Sequence, residues 1–296
     1  AARCFGAEES FFLINGSTIG LQAMILAAAG AGEEILIPRQ AHRSVISGLI
    51  LAGARPRYLP VEIEPFYQIP LGTRTGDLSE AIAEYPKAQS LLMVHPNFYG
   101  ITSCLPSLLR EAQANGLICL TDEAHGPHFR FHPGLPISAL EAGADATVQS
   151  LHKLLASLTQ TSLLHRQGTR LAADRLRRSL DILQSTSPSY ILMSSLDAAR
   201  WQVEEEGTAR LDQTIELAEK ARQAINQLKG LHCLGAEIQQ NASVGDWDPT
   251  KLVIRVSELG LTGYQAQEIL RTRYRIQVEM ADYNNVLAML TLGDGP

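Results

Sequence analysis

Short apolar runs alternate with longer amphipathic stretches from about residue 10 to residue 166. Such apolar runs are typical of strands buried on both faces, and the amphipathic stretches between them are typical of helices. The predicted strands are 35–37, 57–59, 90–94 and 117–121, and the predicted helices are 17–29, 44–52 and 106–114. This alternation predicts an α/β fold with three layers, in which helices cover both faces of a mostly parallel sheet.

The pattern changes after residue 166 to long helices rich in Arg, Glu, Gln and Ala. They are predicted over 169–183, 188–206 and 208–228, whereas the earlier stretch 72–77 has the composition of a polar loop. The remainder predicts strands near 231–235, 251–256, 275–281 and 285–292 and a helix over 263–272. We therefore expect a large domain over 1–228 and the start of a small α+β domain over 229–296.

Composition and charge exclude two classes of binding partner, nucleic acids and membranes. The chain has 296 residues, is 45% hydrophobic and carries a net charge of −6 with its basic residues scattered, so no nucleic-acid footprint is present. The longest apolar run, 21–32, is too short to span a bilayer, and no membrane partner is expected. Four widely spaced cysteines indicate buried free thiols in a reducing cytoplasm. A small-molecule ligand is the expectation.

A glycine and two hydroxyl residues, Gly16, Ser17 and Thr18, open a predicted helix directly after an apolar run. Free amides at a helix start, together with hydroxyl groups, form a natural phosphate cradle. The structural alternative is that Ser17 caps the helix.

Asp122 follows the strongest predicted strand, and ligands of open α/β sheets gather at the carboxyl ends of strands. The letters Asp-Glu-Ala-His resemble a helicase box, but no phosphate-loop motif accompanies them. Zinc is an alternative ligand, because potential zinc ligands crowd into this stretch: Cys119, Asp122, His125, His128 and His132. Prolines 127 and 133 interrupt any helix that would align them and no pair has a familiar spacing, so no metal is predicted.

Lys153 follows a short apolar run and an adjacent histidine, which suits a lysine that forms a Schiff base; a solvated surface lysine is the alternative. A phosphate cradle, an aspartate at a strand end and a lysine about thirty residues later are what pyridoxal 5'-phosphate needs. Lys153 would bind the aldehyde, and Asp122 would keep the pyridine nitrogen protonated. His42, just after a predicted strand, is placed to stack on the ring, unless it only caps a helix.

Five segments together resemble the major domain of the ornithine/lysine/arginine decarboxylases, which are fold type I pyridoxal-phosphate enzymes of the aspartate aminotransferase superfamily. The similarity extends over about residues 4 to 294. The segments are Asn15-Gly16-Ser17-Thr18, Arg39-Gln40-Ala41-His42-Arg43-Ser44-Val45, Asp122-Glu123-Ala124-His125-Gly126, Ser150-Leu151-His152-Lys153 and Leu158-Thr159-Gln160-Thr161-Ser162.

The resemblance implies a role for each matched residue. Lys153 is the Schiff-base lysine, Asp122 the partner of the pyridinium nitrogen and His42 the residue stacked on the ring. The remaining cofactor-binding residues are Ser17, Thr18, Ser150 and His152 near the phosphate, Ala124 on the opposite ring face and His125 beside the site. Residues 184–190 resemble a segment that reaches the neighbouring subunit's active site, which implies a homodimer or larger homo-oligomer.

The implied activity is decarboxylation of lysine, arginine or ornithine to the amine. An aminotransferase or α-oxoamine synthase on the same fold, or a catalytically silent subunit, are the alternatives. Family members have a further N-terminal segment and a C-terminal domain, so we expect this chain to be a piece of something longer. Leu151 replaces an expected small hydroxyl residue. Glu279 and Asp282 are candidates to meet a basic side chain, or they form structural ion pairs.

Overall fold

The structure is a computed structural model that describes residues 1–295. The strands within these residues are β1 (Glu9–Leu13), β2 (Glu34–Pro38), β3 (Arg55–Leu59), β4 (Ala88–Val94), β5 (Ile101–Thr102), β6 (Ile118–Asp122), β7 (Ala146–Gln149), β8 (Ser162–Arg166), β9 (His232–Cys233), β10 (Asp246–Trp247), β11 (Lys251–Arg255), β12 (Met280–Ala281) and β13 (Asn285–Met289). The α-helices are α1 (Ala2–Phe5), α2 (Gly16–Ala28), α3 (Arg43–Ala52), α4 (Thr75–Glu84), α5 (Leu105–Ala114), α6 (Leu151–Leu154), α7 (Ala173–Leu183), α8 (Tyr190–Asn226) and α9 (Gly263–Ile269).

The large sheet within residues 1–295 has the strand order β1-β8-β7-β6-β4-β2-β3. Strands β3, β2, β4, β6 and β7 are parallel, whereas β8 runs antiparallel to both β7 and β1. Strand β1 therefore has the same direction as β7. The predicted mostly parallel sheet is confirmed.

Helices cover both faces of this sheet. Successive side chains of a strand point to opposite faces, so each buried strand contributes to two cores. Leu92 of β4 packs in the core that α2, α3 and α7 form on one face. Its neighbours Leu91 and Met93 pack under α4 and α5 on the other face. The predicted three-layer α/β/α arrangement is thereby confirmed.

The expectation of a polar loop over residues 72–77 holds for residues 72–74 and is wrong for residues 75–77, because α4 begins at Thr75. Arg74 and Asp77 form an ion pair with 2.8 Å between nitrogen and oxygen at the start of this helix. Leu78 and Ala81 then face the core, so burial of a short apolar stripe stabilises a helix that begins with polar residues.

Residues 190–226 form one helix, and the predicted break between 206 and 208 is wrong. Gly207 lies where α8 crosses the 3-10 turn Phe129–Phe131, and a Cβ there would lie 3.4 Å from Phe131 Cβ. The glycine therefore permits close packing and does not end the helix. Its buried stripe, including Leu196, Val203 and Leu211, continues on both sides of the glycine.

A four-stranded antiparallel sheet in the order β12-β13-β11-β9 follows α8. The predicted strand 275–281 is mostly wrong: a π-helical turn, Leu270–Tyr274, extends α9, and only Met280–Ala281 pairs. Arg275, with φ of 58°, ends that turn in the left-handed region. The predicted boundary at 228–229 falls between Asn226 and His232, and the division into two domains stays a prediction.

No helix within residues 1–295 combines the length and the apolar character that crossing a bilayer requires.

Two glycines four residues apart test the packing between the segment before α4 and the loop before β10. A Cβ on Gly72 would lie 2.2 Å from the Ser243 carbonyl oxygen, whereas a Cβ on Gly76 has nothing within 4 Å. We expect Gly72→Ala to lower the free energy of unfolding by about 2 kcal/mol or more because backbone atoms must shift.

Gly76→Ala is the matched control, because it adds the same methyl group in the first turn of α4. It should raise the free energy of unfolding by up to about 1 kcal/mol through helix propensity. Urea denaturation measures both variants, and equal effects of the two substitutions would contradict the packing described here.

Candidate active site

One edge of the large sheet collects the carboxyl ends of β1, β2, β4, β6 and β7, since these strands share one direction. Side chains that follow them surround a cavity of about 160 Å³. Its lining residues are Ser17, Gln40, His42, Val94, Pro96, Phe98, Asp122, Ala124, His125 and Lys153. Strand polarity thus brings together residues that are more than 130 positions apart in the sequence.

Asp122, the last residue of β6, is the buried acid of this cavity. Burial raises the pKa of its carboxyl group, while a hydrogen bond from the Ala124 N–H (3.1 Å) and the charges of Lys153 and His42 act in the opposite direction. A group that donates a hydrogen bond or carries positive charge in the cavity would favour the carboxylate.

His42 has two roles in the structure. It is the N-cap of α3, where its Nδ1 lies 2.7 Å from Ser44 Oγ and accepts from the Ser44 N–H. The same ring lines the cavity, and burial lowers the pKa of the imidazole. The two alternatives given for His42, a residue of the cavity and a helix cap, are therefore compatible.

Lys153 Nζ lies 2.9 Å from His125 Nε2. Burial lowers the pKa of Lys153, against the charges of Asp122 and Glu279, which raise it. Burial and then the two neighbouring lysines, Lys251 and Lys153, hold the pKa of His125 well below its usual range. The lysine is thus a half-buried amine beside a neutral imidazole, and not a solvated surface group.

Ser17 lies inside the first turn of α2, which begins at Gly16, so it does not cap this helix. The N-cap residue is Asn15, whose side chain makes no capping hydrogen bond, and the first turn contains no acidic residue. The Gly16 N–H donates to the Gln160 carbonyl at 2.7 Å. The following amides of a first turn have no partner within the helix and carry the positive end of its dipole.

Three predicted cofactor residues do not line the cavity: Thr18, Ser150 and His152. Thr18 follows Ser17 in α2, and His152 Nδ1 lies 2.7 Å from the Thr161 carbonyl oxygen. Ser150, the N-cap of α6, has a buried hydroxyl without a hydrogen-bond partner in the described part of the chain. This hydroxyl is therefore free to hydrogen-bond with a ligand.

The histidines and the cysteine considered for zinc separate in space. Cys119 packs in the core beneath α5, and His132 Nε2 pairs with Asp212 at 2.8 Å near the surface. His128 Nε2 lies 3.1 Å from Asp248 Oδ2, an approach that lacks hydrogen-bond alignment. Among residues 1–295, no three His, Cys, Asp or Glu side chains are grouped as metal ligands.

Sequence reasoning missed Gln40, Val94, Pro96, Phe98 and Lys251. The first four follow or end strands β2 and β4, so the rule that located Asp122 also applied to them. Phe98 packs against His125 with 4.7 Å between ring centroids. Lys251 comes from the second sheet, and its Nζ lies 3.1 Å from His125 Nδ1. Lys251 lies in no sequence motif that would predict a site residue.

The two acidic candidates for substrate recognition differ. Asp282 accepts hydrogen bonds from Tyr99 Oη (2.8 Å) and from the backbone amides of Asn284 and Asn285, so it has a structural role. Glu279 is exposed, and its charge raises the pKa of Lys153. Of the two, Glu279 is the carboxylate whose field reaches the cavity.

The family model described as "Orn/Lys/Arg decarboxylase, major domain" matches residues 1–295. The chain belongs to this family. The resemblance drawn from the five sequence segments is confirmed, and the cavity lies in the family's major domain.

Curated relatives of this decarboxylase-family chain include two named arginine decarboxylase. The one from Bacillus cereus is 40% identical over 294 residues, covering 99% of this chain and 64% of the relative. The one from Bacillus subtilis is 38% identical and covers 99% and 60%. A lysine decarboxylase, LdcA of Pseudomonas aeruginosa, is 27% identical over 83% of this chain and 34% of its own. The chain spans less than two thirds of the length of the arginine decarboxylases it matches.

Solved structures share the fold of this family member. The lysine decarboxylase LdcF of Francisella novicida has a TM-score of 0.85 at 22% identity, covering 99% of this chain and 47% of that chain. The ureidoglycine-glyoxylate aminotransferase of Bacillus subtilis has a TM-score of 0.71 at 14% identity, covering 98% and 76%.

The two roles of His42 can be separated by substitution. His42→Ala should lower the free energy of unfolding by about 1 kcal/mol, because α3 loses its cap. His42→Asn should retain most of that stability, since asparagine caps well, although it also removes the ring from the cavity. Urea denaturation of the three proteins measures this, and equal losses in both variants would show that the cap does not contribute.

Proposed function

We propose that this chain forms the pyridoxal-phosphate-binding core of a decarboxylase that acts on a basic amino acid, with arginine as its preferred substrate. The observation that carries the proposal is the cavity in which the Lys153 amine, the Asp122 carboxylate and the His42 ring meet. The choice of arginine rests on the names of relatives at 38–40% identity.

The residues present fit this cofactor. Lys153 would hold its aldehyde carbon, Asp122 its pyridinium nitrogen, and His42 and Ala124 its two ring faces. The first-turn amides of α2 with Ser17 and Thr18, and the unpaired hydroxyl of Ser150, would hold its phosphate, with His152 nearby. When bound, pyridoxal phosphate supplies an electron sink for the electron pair that carbon dioxide leaves behind.

Each side chain has a part in the proposed reaction. Asp122 stabilises a positive charge in the cavity, because a carboxylate removed from water interacts strongly with a nearby cation. The lowered pKa of Lys153 makes a neutral amine accessible, which is the nucleophilic form. His125, 2.9 Å away, holds or accepts a proton at its Nε2 while Lys153 gains or loses one at Nζ.

We further propose that Glu279 favours substrates with a distal positive charge. It is exposed, participates in no ion pair among residues 1–295, and its field reaches Lys153. A guanidinium group presents several donors that fit a carboxylate, which suits arginine.

Assembly as a homodimer is part of the proposal. Residues 184–190 are mostly exposed, and Tyr190 and Ile191 at the start of α8 are 76% and 74% exposed. Large apolar side chains in such positions are typical of a surface that a second subunit covers.

Lys153→Ala tests the cofactor assignment. Wild-type protein incubated with pyridoxal phosphate should gain the visible absorbance of the lysine-bound cofactor, and borohydride should fix the cofactor mass on Lys153. The variant should lose both signals. Lys229→Met, at an exposed lysine, is the control and should keep both. A colourless wild-type protein would refute the assignment.

Asp122→Asn tests the electrostatic role of the acid. Turnover, measured as carbon dioxide released from arginine, should fall by about a hundredfold or more because the charge that stabilises the cavity cation is gone. Bound cofactor should remain detectable by absorbance. Parallel assays with lysine and ornithine identify the substrate, and release from none of the three would contradict the proposed activity.

A further inference from the structure

Lys251 is a fully buried lysine that the proposed reaction does not yet use. It is the first residue of β11, is 1% exposed, and its Nζ lies 3.1 Å from His125 Nδ1. The other ring nitrogen of His125, Nε2, lies 2.9 Å from Lys153 Nζ. One imidazole therefore bridges two lysine amines, which we call the Lys251–His125–Lys153 row.

The Lys251 amine is buried without an ion-pair partner in the described part of the chain. Within residues 1–295, no carboxylate oxygen lies within 4.0 Å of Lys251 Nζ, and its further contact is Met289 Sδ at 2.7 Å. Gly100, with φ of 87°, accommodates the side chain, because a Cβ there would lie 2.8 Å from Lys251 Cγ. A permanently charged ammonium in such a place is unfavourable, and burial lowers the pKa of Lys251 to about 8.

Hydrogen-bond counting limits the charge of the row. A neutral imidazole has one donor and one acceptor nitrogen, whereas an ammonium group can only donate. His125 is neutral because burial and the two lysines hold its pKa well below the usual range. Both contacts of His125 can therefore be hydrogen bonds only while at least one of Lys153 and Lys251 is a neutral amine.

Other charged or titratable groups act on the row from the surrounding elements. They are Asp122 and Glu279 on Lys153, Asp248 and Glu279 on Lys251, and His42 and His128 on His125. The carboxylates favour one positive charge in the row, and the mutual repulsion of the two lysines disfavours a second.

We propose that Lys251 is a positioning residue that sets the protonation state of Lys153 through His125. The Lys251 ammonium passes a proton to His125 Nδ1 as the proton on His125 Nε2 moves to Lys153 Nζ. No bond between heavy atoms changes, and the single positive charge moves from one end of the row to the other. The row exists without a cofactor, whereas its use in turnover rests on the proposed function.

Lysine NMR tests the row directly. The chain has five lysines, Lys87, Lys153, Lys220, Lys229 and Lys251, so each 13Cε signal can be assigned by substitution. In purified protein before addition of pyridoxal phosphate, Lys251→Met should raise the titration midpoint of Lys153 by about one pH unit, because a cation two hydrogen bonds away is lost. Lys229→Met makes the same change at the surface and should leave the midpoint unchanged. An unchanged midpoint in Lys251→Met would overturn the proposal.

A second measurement needs no variant and so does not depend on Lys251→Met folding. Over the pH range in which the row carries one positive charge, spectra of 15N-labelled histidine in the wild-type protein should show both ring nitrogens of His125 with shifts averaged between the protonated and unprotonated forms, because the relay exchanges the two tautomers without charging the ring. A purely structural Lys251 would leave a single tautomer across that range. Such a result would refute the relay.

Turnover separates this proposal from the proposed function. With pyridoxal phosphate and arginine added, Lys251→Met should lose about tenfold in carbon dioxide release, with a changed pH profile and retained cofactor absorbance. Lys251→Arg should not restore activity, because arginine keeps its charge but cannot release a proton. If wild-type protein binds no cofactor, the proposed function fails. The two NMR results still decide whether Lys251 controls the protonation of Lys153 through His125. If it turns over and Lys251→Met has an identical pH profile, the relay has no part in catalysis.

Discussion

The common direction of β1, β2, β4, β6 and β7 is the constraint on which the site depends. Because these strands end at one edge, the residues that follow them meet in one cavity, although Ser17 and Lys153 are far apart in the sequence. The antiparallel β8 does not disturb this arrangement, since it lies between two strands of the same direction and returns β1 to the orientation of β7. Residues near the beginning of the chain therefore complete a site built mainly by the middle.

The titratable groups that meet at this edge of the sheet are buried. Burial raises the pKa of Asp122 and lowers the pKa of Lys153, which favours the neutral form of each group. The charge of each residue counteracts the shift of the other. His125 is neutral between two amines, and Lys251 has no carboxylate within ion-pair distance among residues 1–295. A surrounding that disfavours fixed charges is the condition under which the proposed relay would move a proton along the Lys251–His125–Lys153 row. The second sheet thus contributes to the chemistry of the first.

Much of the site could be predicted from the sequence, because its chemistry is local to strand ends. Asp122, Lys153 and His42 were located by their place after apolar runs, and the structure places all three on the cavity. Pro96 and Phe98 also follow a strand end, but they carry no titratable group that would mark them as site residues in the sequence. The errors in the helices have a different cause. Gly207 was read as a helix end, whereas it allows α8 to pack closely on Phe131. Residues 275–277, after the π-helical turn, are exposed and pair with no strand in the described part of the chain.

The sequence by itself determined the alternation of strands and helices over most of residues 10–166, the three-layer fold and the family, because hydrophobic periodicity and short motifs are properties of consecutive residues. Only the tertiary structure decided which of the predicted residues share a cavity, that His42 caps a helix and lines the cavity at once, and that Ser17 lies inside its helix. It alone brought Lys251 of β11 to His125, since a contact across 126 positions leaves no periodic signal in the chain. Proximity between distant segments is set by strand pairing and side-chain packing, which operate only in the folded molecule.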